Sequence, residues 1–410
     1  MMVGAVYRAV TRLLYWLIRP WISLRDMEAM WRQRLGFIRR ERSCDLWLHT
    51  SSVGEVRVVT ILVGQLLRRQ PSLELHVTVM TPAGMRVARG ELPDAVSVSF
   101  LPIDAVPAVR RAMDMLRPKM LIIAETEIWP VLVWEASRRD VPLLLVNGRM
   151  SKKAFGRYAR LRGLFTRVLA EYERLFVKSE EDLERLRHFG VGDDRAEVTG
   201  DMKFDAPLYY CPASIRADWR RLCGAEEDSL IFVAGSTRTG EEELLLEMLR
   251  SLREHCPRLI MVIAPRHVKR AEEIAKLIEQ KGMSFDYLTD TPATEPLVLV
   301  NKMGILNDLY ASGDLAFVGG TLVDIGGHNI LEPVWAQTPV LFGPSVGNVT
   351  EAAEYIEQHG YGAMVADTVE LGQRVRSFSA GHLSFSVRRD EDLADSPTTR
   401  IVEYTLGRLR

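Results

Sequence analysis

Cysteine is scarce in this chain, and its four copies lie far apart. Cys44, Cys211, Cys223 and Cys256 show no CxxC spacing, which argues against a disulfide framework or a zinc site and fits a reducing compartment. The eight histidines form no HExxH pattern. No GxxxxGK[ST] phosphate loop is present: GSTRTGEEE (235–243) has glycines five apart, but no Lys-Ser/Thr follows. There is no GxGxxG fingerprint. The DxD at Asp390 to Asp392 lies in a polar tail and not after a strand, so no metal-dependent sugar-nucleotide site is expected. Charge of either sign is not in excess. The formal net charge is −1 over 410 residues, and bulk charge therefore implies no nucleic-acid partner. Long apolar runs are missing too. Near the N-terminus the longest, Leu13 to Ile18, falls short of the roughly 20 residues that span a bilayer. No small-residue cleavage site follows it, so a removable signal peptide is not expected.

What is present begins with an amphipathic N-terminus. Residues 3–24 are mostly apolar, interrupted by Arg8, Arg12 and Arg19, which fall within roughly 40° of one another on a helix. Residues 1–42 carry nine arginines against three acids. Tyr15, Trp16, Trp21 and Trp31 suit the headgroup level. The pattern predicts a helix lying in a membrane surface and held by anionic lipid. A tilted span and a helix packed on its own protein are the alternatives.

From residue 45 onward, short β-rich runs alternate with helical stretches, which predicts parallel sheets with helices on both faces. The first set is 45–50, 75–80, 96–101, 120–125, 142–148 and 174–179. The second is 229–236, 258–265, 296–301, 314–320 and 339–343. Between them, 206–228 holds two prolines and no convincing strand, and is expected to be a linker. The length and a hydrophobic content of 47% suit two globular domains. The fold class expected is therefore α/β, with two Rossmann-like doubly wound domains facing a cleft. Ligands in such sheets bind at the carboxyl ends of the strands.

The candidate site residues sit at those ends. HTSSVGEV (49–56) places Glu55 at a helix start, where a glutamate is either a base or an ordinary first-turn acid. ETEIWP (125–130) follows an apolar run; continued alternation would send Glu125 and Glu127 to opposite sides. GDMKFD (200–205) puts Lys203 in a glycine-led loop that can face an anion. In PRH (265–267), Arg266 has the fixed fork of donors that suits phosphate. FVGGTLVDIGGHNILEP (317–333) packs two Gly-Gly pairs, His328, Asn329 and Glu332 after a strand; the glycines permit close backbone approach to a ligand, and Glu332 can accept from ribose hydroxyls. Residues 149–170 hold seven Lys or Arg and no acid, a patch for membrane or lipid phosphate in preference to nucleic acid.

Taken in order, HTSSVGEV, ETEIWP, NGRMS, GDMKFD, AGSTRTGEEE, PRH, MGIL and FVGGTLVDIGGHNILEP resemble the 3-deoxy-D-manno-octulosonic acid (Kdo) transferases, from the N-terminus to about residue 370. The resemblance implies a GT-B fold and metal-free, cofactor-free, inverting transfer of Kdo from CMP-Kdo to a lipid A precursor (lipid IVA), at the cytoplasmic face of the inner membrane. It implies Glu55 as general base, with Glu125 and Lys203 stabilising the transition state. CMP contacts map onto Pro265 and Arg266, onto Gly304, Ile305 and Leu306, and onto Asn329, Ile330, Leu331 and Glu332. On this reading 1–24 is the membrane-associated helix, 25–205 the acceptor domain, 206–228 the linker, 229–377 the CMP-Kdo domain and 378–410 a tail or helix. Partners are CMP-Kdo, the lipid A precursor and anionic inner-membrane lipids, with no nucleic acid. Two positions depart from the family pattern: Ile305 stands where glutamate is usual, and Asn301 where aspartate is common. Another GT-B transferase, or an inactive membrane-bound homologue, is the alternative.

Overall fold

Runs such as Leu46-Trp47-Leu48 and Met120 to Ala124 are apolar at every position, the mark of strands covered on both faces. In the computed structural model, which describes residues 2–23, 29–38 and 43–410, these runs form two separate parallel sheets. Side chains are described for 4–17, 30–38 and 43–410. The chain divides into two compact units, one of residues 1–206 with 393–410, the other of residues 207–392.

The first unit carries β1 (Leu46–Thr50), β2 (Leu75–Val79), β3 (Ser97–Phe100), β4 (Met120–Ala124), β5 (Leu143–Gly148), β6 (Arg174–Val177) and β7 (Ala196–Val198), in the spatial order 3-2-1-4-5-6-7. The chain starts at β1 in mid-sheet, winds outward to β3, then crosses back to lay β4 on the other side of β1. That reversal leaves a crevice beyond the carboxyl ends of β1 and β4, where ligands bind in such sheets. The second unit follows a related plan. Its strands are β8 (Leu230–Thr237), β9 (Leu259–Pro265), β10 (Asp286–Tyr287), β11 (Leu297–Leu299), β12 (Leu315–Val318), β13 (Val340–Phe342) and β14 (Gly362–Met364). The order is 10-11-9-8-12-13-14, with the reversal between β8 and β12, except that here β11 lies between β9 and the edge strand β10.

Three strands escaped the sequence reading. β7, β10 and β14 are two or three residues long and lie at sheet edges, too short to show an apolar run. The expected linker at 206–228 is also revised. Pro212 precedes a helix, Ala213–Leu222, which belongs to the second unit and packs on the helix Leu306–Ser312. Arg220 ties it down, with Nη1 3.0 Å from Asp314 Oδ2 and donating to the Ser312 carbonyl at 3.0 Å. Pro212 there starts a helix and does not loosen a linker. Residues 393–410 are no tail of the second unit. Ser396 caps a helix, Pro397–Leu409, which returns to the first unit and packs on the helix Val53–Arg69.

No helix among the described residues is long and apolar enough to cross a membrane. The N-terminal helix, Met2–Ser23, packs by one face. Gly4 and Tyr15 are buried and Tyr7 and Thr11 half-buried. Tyr15, expected at headgroup level, instead accepts from Arg111 Nη1 at 3.2 Å within the protein. The other face, Val6, Val10, Leu13, Leu14 and Leu17, is open, with Leu13 62% and Leu17 60% exposed. The side chains of Arg19 and Trp21 lie outside the described residues.

Candidate active site and anion site

At the end of β1 the chain turns through Ser51 and Ser52 into the helix Val53–Arg69. Ser52 Oγ accepts from the Glu55 amide at 3.3 Å, while Glu55 Oε2 accepts from the Ser51 amide at 2.6 Å. This reciprocal pairing resembles a capping box shifted by one residue. It holds a carboxylate only 8% exposed at the mouth of the crevice.

β4 ends differently from the alternation read in the sequence. Glu125 adopts φ 54°, a left-handed conformation that is uncommon for a non-glycine residue and clusters at functional sites. Its amide still donates to the Val146 carbonyl of β5 at 2.9 Å. The strand stops there, so Glu127 is not carried to the opposite side. Both carboxyls feel Glu55. Burial, then the Glu55 charge, pushes Glu125 up to about 7; Asp201 adds to this, and Lys178 and Arg149 oppose it. Glu127 is raised as well, first by burial and then by Glu55.

The ends of β6 and β7 bring the cations. Lys178 Nζ lies 2.5 Å from Asp201 Oδ2, and Lys203 Nζ 3.2 Å from the same oxygen. Asp201 also caps the turn Met202–Asp205, accepting from the Lys203 amide at 3.0 Å. Asn147, at the end of β5 with φ 53°, accepts from the Met202 amide at 2.9 Å, fixing that turn to the sheet. Lys203 is therefore held at its β-carbon end and steered by a buried carboxylate. Lys178 and Asp201 were missed from sequence; their signal was position, since each follows the last residue of a strand by one to three places.

The second unit gathers basic groups at the matching edge. Glu241 is fully buried. Its carboxylate accepts four backbone N–H groups, from Arg238 at 2.9 Å, Gly320 at 2.8 Å, Thr321 at 3.1 Å and Leu322 at 3.0 Å. The acid so clamps the glycine-rich loop to β8. Gly319 cannot be replaced there, because a Cβ would stand 2.5 Å from Thr237 Cα. Arg238 Nε then donates to His328 Nε2 at 2.8 Å, and its Nη1 is 2.9 Å from His267 Nε2. Burial, then Arg238, Arg266 and His267, lowers His328 below the usual imidazole range. Two guanidiniums and two imidazoles thus converge where β8, β9 and β12 end. Arg266 was read from sequence; Arg238 was passed over because its segment is not a phosphate loop.

Of the other expected contacts, Leu306 reaches β8. Tyr310 and Leu306 both crowd Gly235, and Glu332 is near enough to Tyr310 to add to the burial that raises its phenol. Asn329 Nδ2 donates to Glu332 Oε1 at 3.3 Å. Pro265 closes β9, and Gly304, at φ 84°, has open space around its α-carbon. Ile305 stands at the start of the helix Leu306–Ser312 without a side-chain cap bond.

Two doubly wound units, each on a parallel seven-stranded sheet, with carboxylates gathered at strand ends in one and basic groups in the other, define an α/β fold of two units. A crystal structure of UDP-GlcNAc 2-epimerase from Neisseria meningitidis shares it, with TM-score 0.53 at 11% identity, covering 88% of this chain and 99% of that one. The model of the 3-deoxy-D-manno-octulosonic-acid transferase family matches residues 29–206. A 3-deoxy-D-manno-octulosonic acid transferase of Haemophilus influenzae is 30% identical over 75% of this chain and 72% of its own length. A bifunctional glycosyltransferase/methyltransferase of Fusobacterium nucleatum is 32% identical over 81% of this chain; the chain spans about half of that protein, 52%. The chain belongs to the Kdo transferase family of glycosyltransferases.

Proposed function

We propose that the protein transfers Kdo from CMP-Kdo to a sugar hydroxyl of a lipid A precursor of the lipid IVA class, in lipopolysaccharide biosynthesis. The fold is GT-B, the transfer inverts the anomeric centre, and no metal takes part. The work is done at the cytoplasmic face of the inner membrane, with the open apolar face of the N-terminal helix in anionic lipid.

The observation that carries this reading is the carboxylate of Glu55 at the reversal point of the first sheet, with two further glutamates within its field. Glu55 takes the hydroxyl proton as the acceptor oxygen attacks the anomeric carbon, and the bond to the CMP phosphate oxygen breaks on the opposite face. Glu125, raised to about 7, keeps a proton on many copies at neutral pH. It can then donate to developing negative charge where an ionised carboxylate would repel it. Lys203, aimed by Asp201, supplies a full positive charge to the same end. In the second unit Arg266, joined by Arg238, His267 and His328, receives the phosphate. Pro265, the segment Gly304 to Leu306 and the segment Asn329 to Glu332 hold the cytidine and ribose.

Mass spectrometry of lipid IVA incubated with the protein and CMP-Kdo, beside UDP- and ADP-sugars, tests the assignment; a Kdo adduct from CMP-Kdo alone is expected. Glu55→Ala should lower transfer by about 100-fold or more, the usual contribution of a general base, and leave CMP binding intact. Undiminished transfer would refute the base.

A further inference from the structure

A groove of about 510 Å³ runs between the N-terminal helix and the helix Val106–Leu116, and none of Glu55, Glu125 and Glu127 lines it. Arg8, Arg12 and Arg110 line it together with Leu13, Trp16 and Val106, and among the described residues no acid does. Two of the three guanidiniums are held in place from behind. Arg8 lies over the Trp134 ring at 5.4 Å, and its Nε reaches the Gly4 carbonyl at 3.4 Å. Arg110 Nε donates at 2.9 Å to Glu135, a carboxylate 2% exposed that also pairs with Arg138 and Arg139. One buried acid is thus shared among three arginines, leaving the groove positive. Arg12 is exposed beside them.

The wall decides the kind of anion. Leu13 and Trp16 bound the groove and also adjoin the open row of Val6, Val10, Leu14 and Leu17. An occupant that fits both has a phosphate for the arginines and an apolar tail for the row. The geometry points to a seat for the phosphate of an anionic membrane lipid, distinct from the acceptor's own place at Glu55. It rests on the membrane-facing reading of this helix given above. Two held guanidiniums with a third exposed beside them offer a phosphate diester bidentate contacts, while diffuse attraction to an anionic surface is the same for each basic residue, wherever it stands. A specific seat therefore exceeds what the same charge contributes elsewhere.

The test compares Arg8→Ala/Arg12→Ala with Arg160→Ala/Arg162→Ala, which removes equal charge from another exposed basic stretch. Co-flotation of the full chain with vesicles of phosphatidylcholine, with and without phosphatidylglycerol, is measured at physiological salt. Binding to a water-soluble short-chain phosphatidylglycerol and to inorganic phosphate is measured by calorimetry. The groove pair should lose at least about tenfold more affinity for the phosphatidylglycerol vesicles than the control pair. It should also lose the short-chain lipid, which inorganic phosphate displaces only weakly. Equal losses in the two pairs would overturn the seat. Inorganic phosphate binding as tightly as the lipid would also overturn it, by making the groove a free-anion site. If wild type ignores all vesicles but binds the short-chain lipid through Arg8 and Arg12, the seat stands and the membrane-facing reading fails.

Discussion

Glu125 is where the backbone and the charge of the first site meet. Its left-handed φ of 54° is a conformation that costs of order 1–3 kcal/mol in a non-glycine residue. Its carboxyl is raised from 4.5 to about 7 by burial and then by Glu55. An acid raised on folding binds its proton more tightly in the folded state. Its stabilising effect is greatest at low pH and is lost as pH climbs from 4.5 through 7. Glu125→Gln removes that dependence. The variant should gain about 1–2 kcal/mol over wild type at pH 8 and little at pH 5, discounting the full shift for partial exposure. Chemical denaturation at both pH values reads this, and transfer should fall in the same variant. A variant without a pH-dependent gain would show that the carboxyl is ionised at no cost. Residue types at this site were legible from the sequence because strand ends in parallel sheets are where ligands go. The side to which Glu127 points was not, since alternation assumes the strand continues, and no local pattern announces a left-handed glutamate.

Among elements, the helix Pro130–Ser137 is the one that ties the site to the N-terminus. Its own cap residue, Trp129, makes no side-chain bond to the helix. Asp104 supplies one from outside, accepting from the Val131 amide at 3.1 Å and the Leu132 amide at 2.9 Å. Tyr7 of the N-terminal helix donates to the same carboxyl at 2.9 Å and meets Trp134 edge-on. The loop from Glu125 to Trp129 leads straight into this capped start. Tyr7→Phe should cost about 1 kcal/mol by urea denaturation, one hydrogen bond. Asp104→Ala should cost about 2–3 kcal/mol, since it orphans two amides and a phenol. Similar costs for the two would mean that Asp104 does little beyond holding Tyr7. Long apolar strands were readable because burial on both faces demands continuous apolar runs. The helix Ala213–Leu222 was not, having no buried residue and hence no apolar stripe to reveal it.

At the scale of the molecule, each sheet starts in its middle and later crosses back past its first strand, though only the second inserts a later strand, β11, between β9 and β10, and each unit concentrates its polar chemistry where the order reverses. The division into two was legible in the pause of the strand–helix alternation. The return of the last helix was not, because nothing local says which body a terminal helix joins. Ile401, Val402 and Thr405 are buried, the first two in the core of the first unit with Leu62, Leu66 and Met202. The Thr398 amide donates to Asp205 at 2.6 Å, and Thr399 Oγ1 to Gln65 at 3.2 Å. Removing 393–410 uncovers two large apolar side chains' worth of core, about 3–6 kcal/mol. Amide exchange along Val53–Arg69 should then speed by orders of magnitude while that of Glu241–Leu252 stays slow. Unchanged exchange in both would mean the helix is ornamental.

That terminal helix also sets an order of events in the making of the protein. A ribosome releases residues 1–206 long before 393–410, so the first unit must wait, with part of its interior open, until the second has been synthesised. A nascent chain cut short by arrest, or a fragment limited to 29–206, therefore leaves the Leu62 and Leu66 side of the helix Val53–Arg69 bare.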